Sequence, residues 1–198
     1  MYPSHNPEKV ETKQEILKAT LKILETEGFQ NLTVRKIAAK AGANVAAVNY
    51  HFGSKDRVVF EALQVLRARF GDAFGYLRET AHPPRERLVA FMTAYCDTVF
   101  DYPNLVKAFV NQSLNVEIQQ DYASFVRREG HALITNTLAE ILPPKDEEIL
   151  RMEAFQMMSS LILILLVGKD SGPVIGLDFS DPQLRARYIQ TIVPGEPA

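Results

Sequence analysis

Apolar residues recur at intervals of three and four along most of this chain, the spacing of one helix face. From Thr12 to about Glu27, the residues Ile16, Leu17, Thr20, Leu21 and Leu24 share a face, Thr12 and Glu15 fit a capping box, and Gly28 stops the helix. Thr33 caps a second helix whose apolar side is Val34, Ile37, Ala38 and Ala41, and Gly42 ends it. Asn44 then caps a third, with Val45 and Val48 inward and Ala46, Ala47, Asn49 and Tyr50 outward. Ser54 caps a long fourth helix from Lys55 to about Thr80, carrying Val58, Val59, Ala62, Leu66 and Phe70. His82-Pro83-Pro84 breaks the pattern, which resumes from Pro84 to Phe100, from Pro103 to about Leu114, from Val116 to Ile141, from Asp146 to Val167 and from Asp181 to Ile192. The chain is therefore expected to be all-α, with about nine helices, no internal repeat and no convincing strand.

The densest information lies between Leu32 and Lys55. Two short helical patterns meet there at a glycine, which is a helix-turn-helix reading. In such a motif the second helix enters the major groove, so Asn44, Val45, Ala46, Ala47 and Asn49 are the residues placed to approach base edges and phosphates. Asn49 is the main candidate for a base contact, because an Asn amide pairs with adenine through two hydrogen bonds. Ala46 and Ala47 offer only apolar contact to a thymine methyl. Thr33, Arg35 and Lys36, at the start of the second helix, complete the side expected to lie against a duplex. An Asn or Tyr on a short helix is also commonly just solvated, and the motif around it is what favours contact.

The segment from Thr12 to Leu63 resembles the N-terminal domain of tetracycline-repressor (TetR) type regulators. The likeness rests on Glu27-Gly28-Phe29, Leu32-Thr33-Val34, Ile37-Ala38 followed by Ala41-Gly42, and above all Tyr50-His51-Phe52-Gly53-Ser54-Lys55. It departs at Asn44, where the family often has Ser, and at Ala46, where it often has Gly; neither change opposes a helix, though both bear on which bases are read. The resemblance implies phosphate contacts at Tyr50 and Lys55, a structural or backbone role for His51, and a junction anchored by Phe52. It further implies a helix-turn-helix domain over residues 10–70, sharing helix four from residue 55, and a helical effector-binding and dimerisation domain over 71–198. The expected function is that of a DNA-binding transcriptional regulator, a repressor on a palindromic operator. The alternative is a helical adaptor without effector-controlled DNA binding.

Charge sharpens this picture. The net charge of -2 hides an asymmetry: residues 1–60 hold nine Lys/Arg against six Asp/Glu, and the rest hold 13 against 18. Positive potential is thus confined to the proposed DNA-binding end. Lys36 and Lys40 stand four apart on one helix, a like-charge spacing that costs roughly 0.2 to 0.5 kcal/mol unless an anion lies nearby.

One helix-turn-helix reads few base pairs, so a homodimer is expected. Its candidate interface is Met157, Met158, Leu161, Ile162 and Leu165 on a helix apolar over more than one face, with Tyr188 and Ile192 from the last helix. An entirely intramolecular core is the competing reading. Phe91, Met92, Tyr95, Phe100, Leu105, Phe109, Tyr122, Phe125 and His131 are candidates for lining an apolar cavity; the resemblance implies an effector pocket there, and the apolar lining points to a small hydrophobic effector. Aromatics at helical spacing also suit a plain core.

Enzyme, metal and membrane classes find little support. The four histidines are scattered, no HExxH, CxxC or glycine-rich phosphate loop occurs, and no cofactor is expected. The apolar run from Met157 to Val167 falls short of the ~20 residues of a membrane span. A lone Cys96 fits a reducing interior, and the expectation is a soluble cytoplasmic protein without a membrane partner.

Overall fold

The computed structural model describes residues 7–110, 120, 124, 130–168 and 176–195. They pack as two units, Met1–Ala68 and Arg69–Ala198. The fold class is all-α, as expected.

In the first unit, α1 (Pro7–Glu27) begins earlier than the sequence suggests. Thr12 therefore lies inside the helix rather than capping it. The carboxylate of Glu15 accordingly pairs with Lys18, at 2.7 Å, instead of reaching back to a cap. A single 3-10 turn (Phe29–Asn31) leads to α2 (Val34–Lys40) and α3 (Val45–Phe52). Ile16, Ile23 and Leu24 of α1 form the core with Ile37 of α2 and Val48 of α3, each at most 1% exposed. The buried Thr20 hydroxyl donates to the Ile16 carbonyl at 2.7 Å, so no polar group is stranded there.

The fourth helix, α4 (Lys55–Ala73), starts in the first unit and ends in the second. It stops short of the expected Thr80, and a separate turn, α5 (Gly75–Arg78), follows after Phe74. The Phe74 ring lies against a distant glycine: a Cβ built on Gly130 would fall 2.6 Å from its Cζ. Only a residue without a side chain lets that ring pack there, stacked on Phe91 at 5.0 Å.

The second unit continues with α6 (Pro84–Asp101), α7 (Pro103–Val110), α8 (His131–Ile141), α9 (Glu147–Gly168) and α10 (Pro182–Ile192). Of the helix expected from Val116, only Gln120, Ser124 and the part from Gly130 onward are described, and all of it is helical. Leu88, Phe91, Met92 and Val99 of α6 are fully buried, making that helix the centre of the unit. Arg87 joins three elements from the inside, donating to the Leu77 carbonyl of α5 at 3.1 Å and pairing with Glu140 of α8. Arg85 fastens α10 and the segment after it, donating to the Gln190 side chain at 2.8 Å, the Gln190 carbonyl at 3.0 Å and the Gly195 carbonyl at 3.0 Å. No helix among the described residues is long and apolar enough to cross a membrane.

Candidate nucleic-acid interface

Local hydrogen bonds set the geometry of α2 and α3. The Thr33 hydroxyl accepts from the Lys36 N–H at 3.2 Å, and the Asn44 side-chain oxygen accepts from the Ala47 N–H at 2.7 Å. Both satisfy amides that a helix start leaves free. Between them the Ala43 N–H reaches the Ala38 carbonyl at 2.9 Å and the Gly42 N–H the Ala39 carbonyl at 3.4 Å, which is a Schellman closure of α2. The α3 helix ends with Gly53 at φ 73, its N–H on the Asn49 carbonyl at 2.8 Å. That left-handed position strains any L side chain. Ser54 then accepts from the Arg57 N–H at 3.2 Å and starts α4.

These constraints turn one side of α3 inward and leave the other free. Val48 and Phe52 are buried, whereas Asn44, Ala46, Asn49 and Tyr50 are exposed and Ala47 is half-buried. Tyr50 is 71% exposed, with its ring edge-on to His51 at 5.3 Å. His51 is half-buried between Tyr50 and Phe52. Val45 departs from the expected inward direction: at 39% exposure it joins the outer face. Thr33, Arg35, Lys36 and Lys55 are exposed as well.

The cations of this face are not equivalent. Lys36 is paired with Glu27 at 2.6 Å, so a carboxylate relieves the Lys36–Lys40 repulsion without any external anion. Such an exposed pair is worth about 0 to 1 kcal/mol and exchanges readily. Arg57 holds Glu61 at 2.9 Å, and Lys13 reaches the same carboxylate at 2.8 Å while lying 5.5 Å above the Phe52 ring. Burial works to raise the Glu61 carboxyl, but the hydrogen bonds and charges of Lys13 and Arg57 outweigh it and hold the group below the usual range. Arg35, Lys40 and Lys55 form no ion pair among the described residues.

The other sequence-derived sites lie in the second unit. Phe91 and Tyr95 stand 5.8 Å apart in one buried cluster with Phe70 and Phe74, and Met92 and Leu105 are fully buried. Phe109 is half-buried and His131 exposed. Phe100 is not part of the cluster, because its ring lies under the Arg185 guanidinium at 4.3 Å. Tyr122 and Phe125 lie outside the described residues. Among the dimer candidates, Met157 and Leu161 are buried within their own unit at 6% and 0% exposure, and so leave the candidate interface. Met158, Ile162, Tyr188 and Ile192 are half-buried, and the Leu165 side chain lies outside the described residues. The free apolar side of α9 is instead Ile149, Met152, Phe155 and Leu163, at 42%, 51%, 74% and 58% exposure. The sequence shows these four residues as plainly as the others, but only packing separates the two sides. No group of three or more His, Cys, Asp or Glu side chains that could hold a metal ion occurs among the described residues.

Residues 16–62 match the family model of bacterial regulatory proteins, tetR family. The chain is similar to an HTH-type transcriptional repressor, NicS, from Pseudomonas putida, 24% identical over 187 residues that cover 91% of this chain and 88% of that protein. It is also similar to the HTH-type transcriptional regulator BetI of Agrobacterium fabrum, 24% identical with 88% of each chain covered. Among solved structures, a putative transcriptional regulator from Saccharomonospora viridis in complex with choline shares the fold, with a TM-score of 0.70 at 20% identity over 93% of this chain and 96% of that one.

Proposed function

We propose that this chain, which belongs to the tetR family of bacterial regulatory proteins, acts as a homodimer that represses transcription from a palindromic operator and lets go when a small hydrophobic effector binds. That it is a DNA-binding transcriptional regulator follows from the family. The observation that carries the fuller reading is the division of α3, with Val48 and Phe52 in the core and Asn44, Val45, Ala46, Asn49 and Tyr50 all facing solvent. In this reading Asn49 reads a base, Val45, Ala46 and Ala47 meet thymine methyls or sugar, and Thr33, Arg35, Lys36, Tyr50 and Lys55 hold phosphates.

The dimer is supported by the exposed side of α9. Four large apolar side chains on one face of a helix, led by Phe155 at 74% exposure, form a patch that water disfavours and a second copy would cover. Repression is supported by the likeness to NicS, a transcriptional repressor. An effector is supported by the aromatic cluster around Phe91 and Tyr95, and by a relative of the same fold that holds choline. Its signal must pass through α4, the covalent link between the units, and binding must favour a dimer whose recognition helices no longer match successive major grooves.

Selection of genomic fragments on the purified protein tests this reading. One inverted-repeat site, bound with affinity that falls steeply in salt, is the expected result. Failure to enrich any site would contradict it.

A further inference from the structure

A groove of about 330 Å³ runs between α8, α9 and the chain just after α10, apart from the aromatic cluster on α6. Its walls are apolar, from Leu138, Leu142, Met157, Ile192 and Pro194. Three polar side chains enter it, and all come from one stripe of α9: Glu153, Gln156 and Ser160. Mostly apolar walls with a few converging polar groups are the usual make-up of a small-molecule site, and the volume lies at the lower end of the range for one, on the order of 300–1,000 Å³.

The polar groups select the ligand's chemistry. The Ser160 hydroxyl gives its proton to the Met157 carbonyl at 2.6 Å, so only its lone pairs are left for a visitor. Glu153 pairs through one carboxylate oxygen with Lys145, while its other oxygen is buried and has no hydrogen-bond partner among the described residues. A buried acceptor without a donor is destabilising, so a donor brought to it is rewarded. Acceptors thus dominate the polar stripe, so a head group rich in donors fits it and an anionic head, which brings only acceptors, does not. We propose that this groove binds a small organic amine, its ammonium N–H groups donating to Glu153 and Ser160 and its hydrocarbon body lying against Leu138, Leu142, Met157 and Ile192. The site goes beyond the effector reading above and does not depend on it.

Calorimetric titration with n-octylamine, octan-1-ol and octanoate tests this directly. The ammonium form of n-octylamine should bind once per protomer, more tightly than the alcohol, and octanoate should not bind. Glu153→Gln keeps the shape and removes the charge, and should weaken amine binding by at least about tenfold. Gln156→Trp, at an exposed position, should cover the groove and abolish binding, with circular dichroism unchanged in both variants. Equal binding of amine and alcohol, binding of octanoate, amine binding that survives both substitutions, or no amine binding would each overturn the proposal.

Discussion

Lys55 opens α4 with an ammonium that forms no ion pair among the described residues, whereas the Lys36 ammonium already lies on Glu27 at 2.6 Å. A phosphate therefore meets Lys55 without displacing anything but water, and meets Lys36 only in competition with a carboxylate. Lys55→Ala is expected to weaken binding evenly across operator sequences and to lower the salt slope by about 0.9, the value of one phosphate contact. Lys36→Ala should do less, and salt titrations of both variants on one duplex check the order. Asn49→Ala should behave differently, costing roughly 1 to 3 kcal/mol at one base pair and little elsewhere, as a panel of single-base operator variants would read. Cys96 is a residue of the opposite kind, 1% exposed on α6. Burial pushes its thiol up to about 11 from an ordinary 9.0, against a smaller opposing effect of Arg185. The protonated thiol is the form the fold prefers. Its contribution to stability is complete below about pH 9 and is lost as pH rises through the folded value, so the stability difference between wild type and Cys96→Ala should shrink from pH 8 to 11 in urea melts. At neutral pH the native thiol should resist a disulfide reagent.

At the scale of elements, capping and close approach decide what forms. Asn44→Ala removes the bond to the Ala47 N–H and should cost about 1 kcal/mol, seen as a lower Tm with unchanged helix content at low temperature. Gly130→Ala should cost more, about 1 to 3 kcal/mol, because its Cβ would sit 2.6 Å from the Phe74 ring in a filled core. These two sites also mark what a sequence discloses. The caps at Thr33, Asn44 and Ser54 were legible because donor and acceptor lie three residues apart, and the Tyr50 to Lys55 run because its turn chemistry is local. The end of α4 at Ala73 was not, since Asp72 to Leu77 keeps helical periodicity, and neither was the packing of Phe74 on Gly130, a residue far along the chain. Thr12 misled for the same reason: a capping pattern can recur inside a helix whose start is set elsewhere. The direction of Val45 was equally closed to sequence, because a residue in the first turn faces in or out according to what packs there.

For the whole molecule, α9 is where periodicity gives out. Its residues are apolar nearly all round, so the sequence could say that the helix has two apolar faces but not that Met157 and Leu161 belong to the inner one and Phe155 and Leu163 to the outer. With that division known, Phe155→Asp is expected to leave the protomer folded and the dimer dissociated, as sedimentation equilibrium would show. Operator affinity should fall with it, because each half-site then binds alone. In the proposed dimer, two copies of α3 read the two halves of one operator. The most direct test is a titration of the selected operator beside a duplex of the same length with one half-site scrambled. Two protomers per intact operator, with affinity at least about a hundredfold lower on the scrambled duplex, is the predicted result. Equal affinity for the two duplexes would contradict the account.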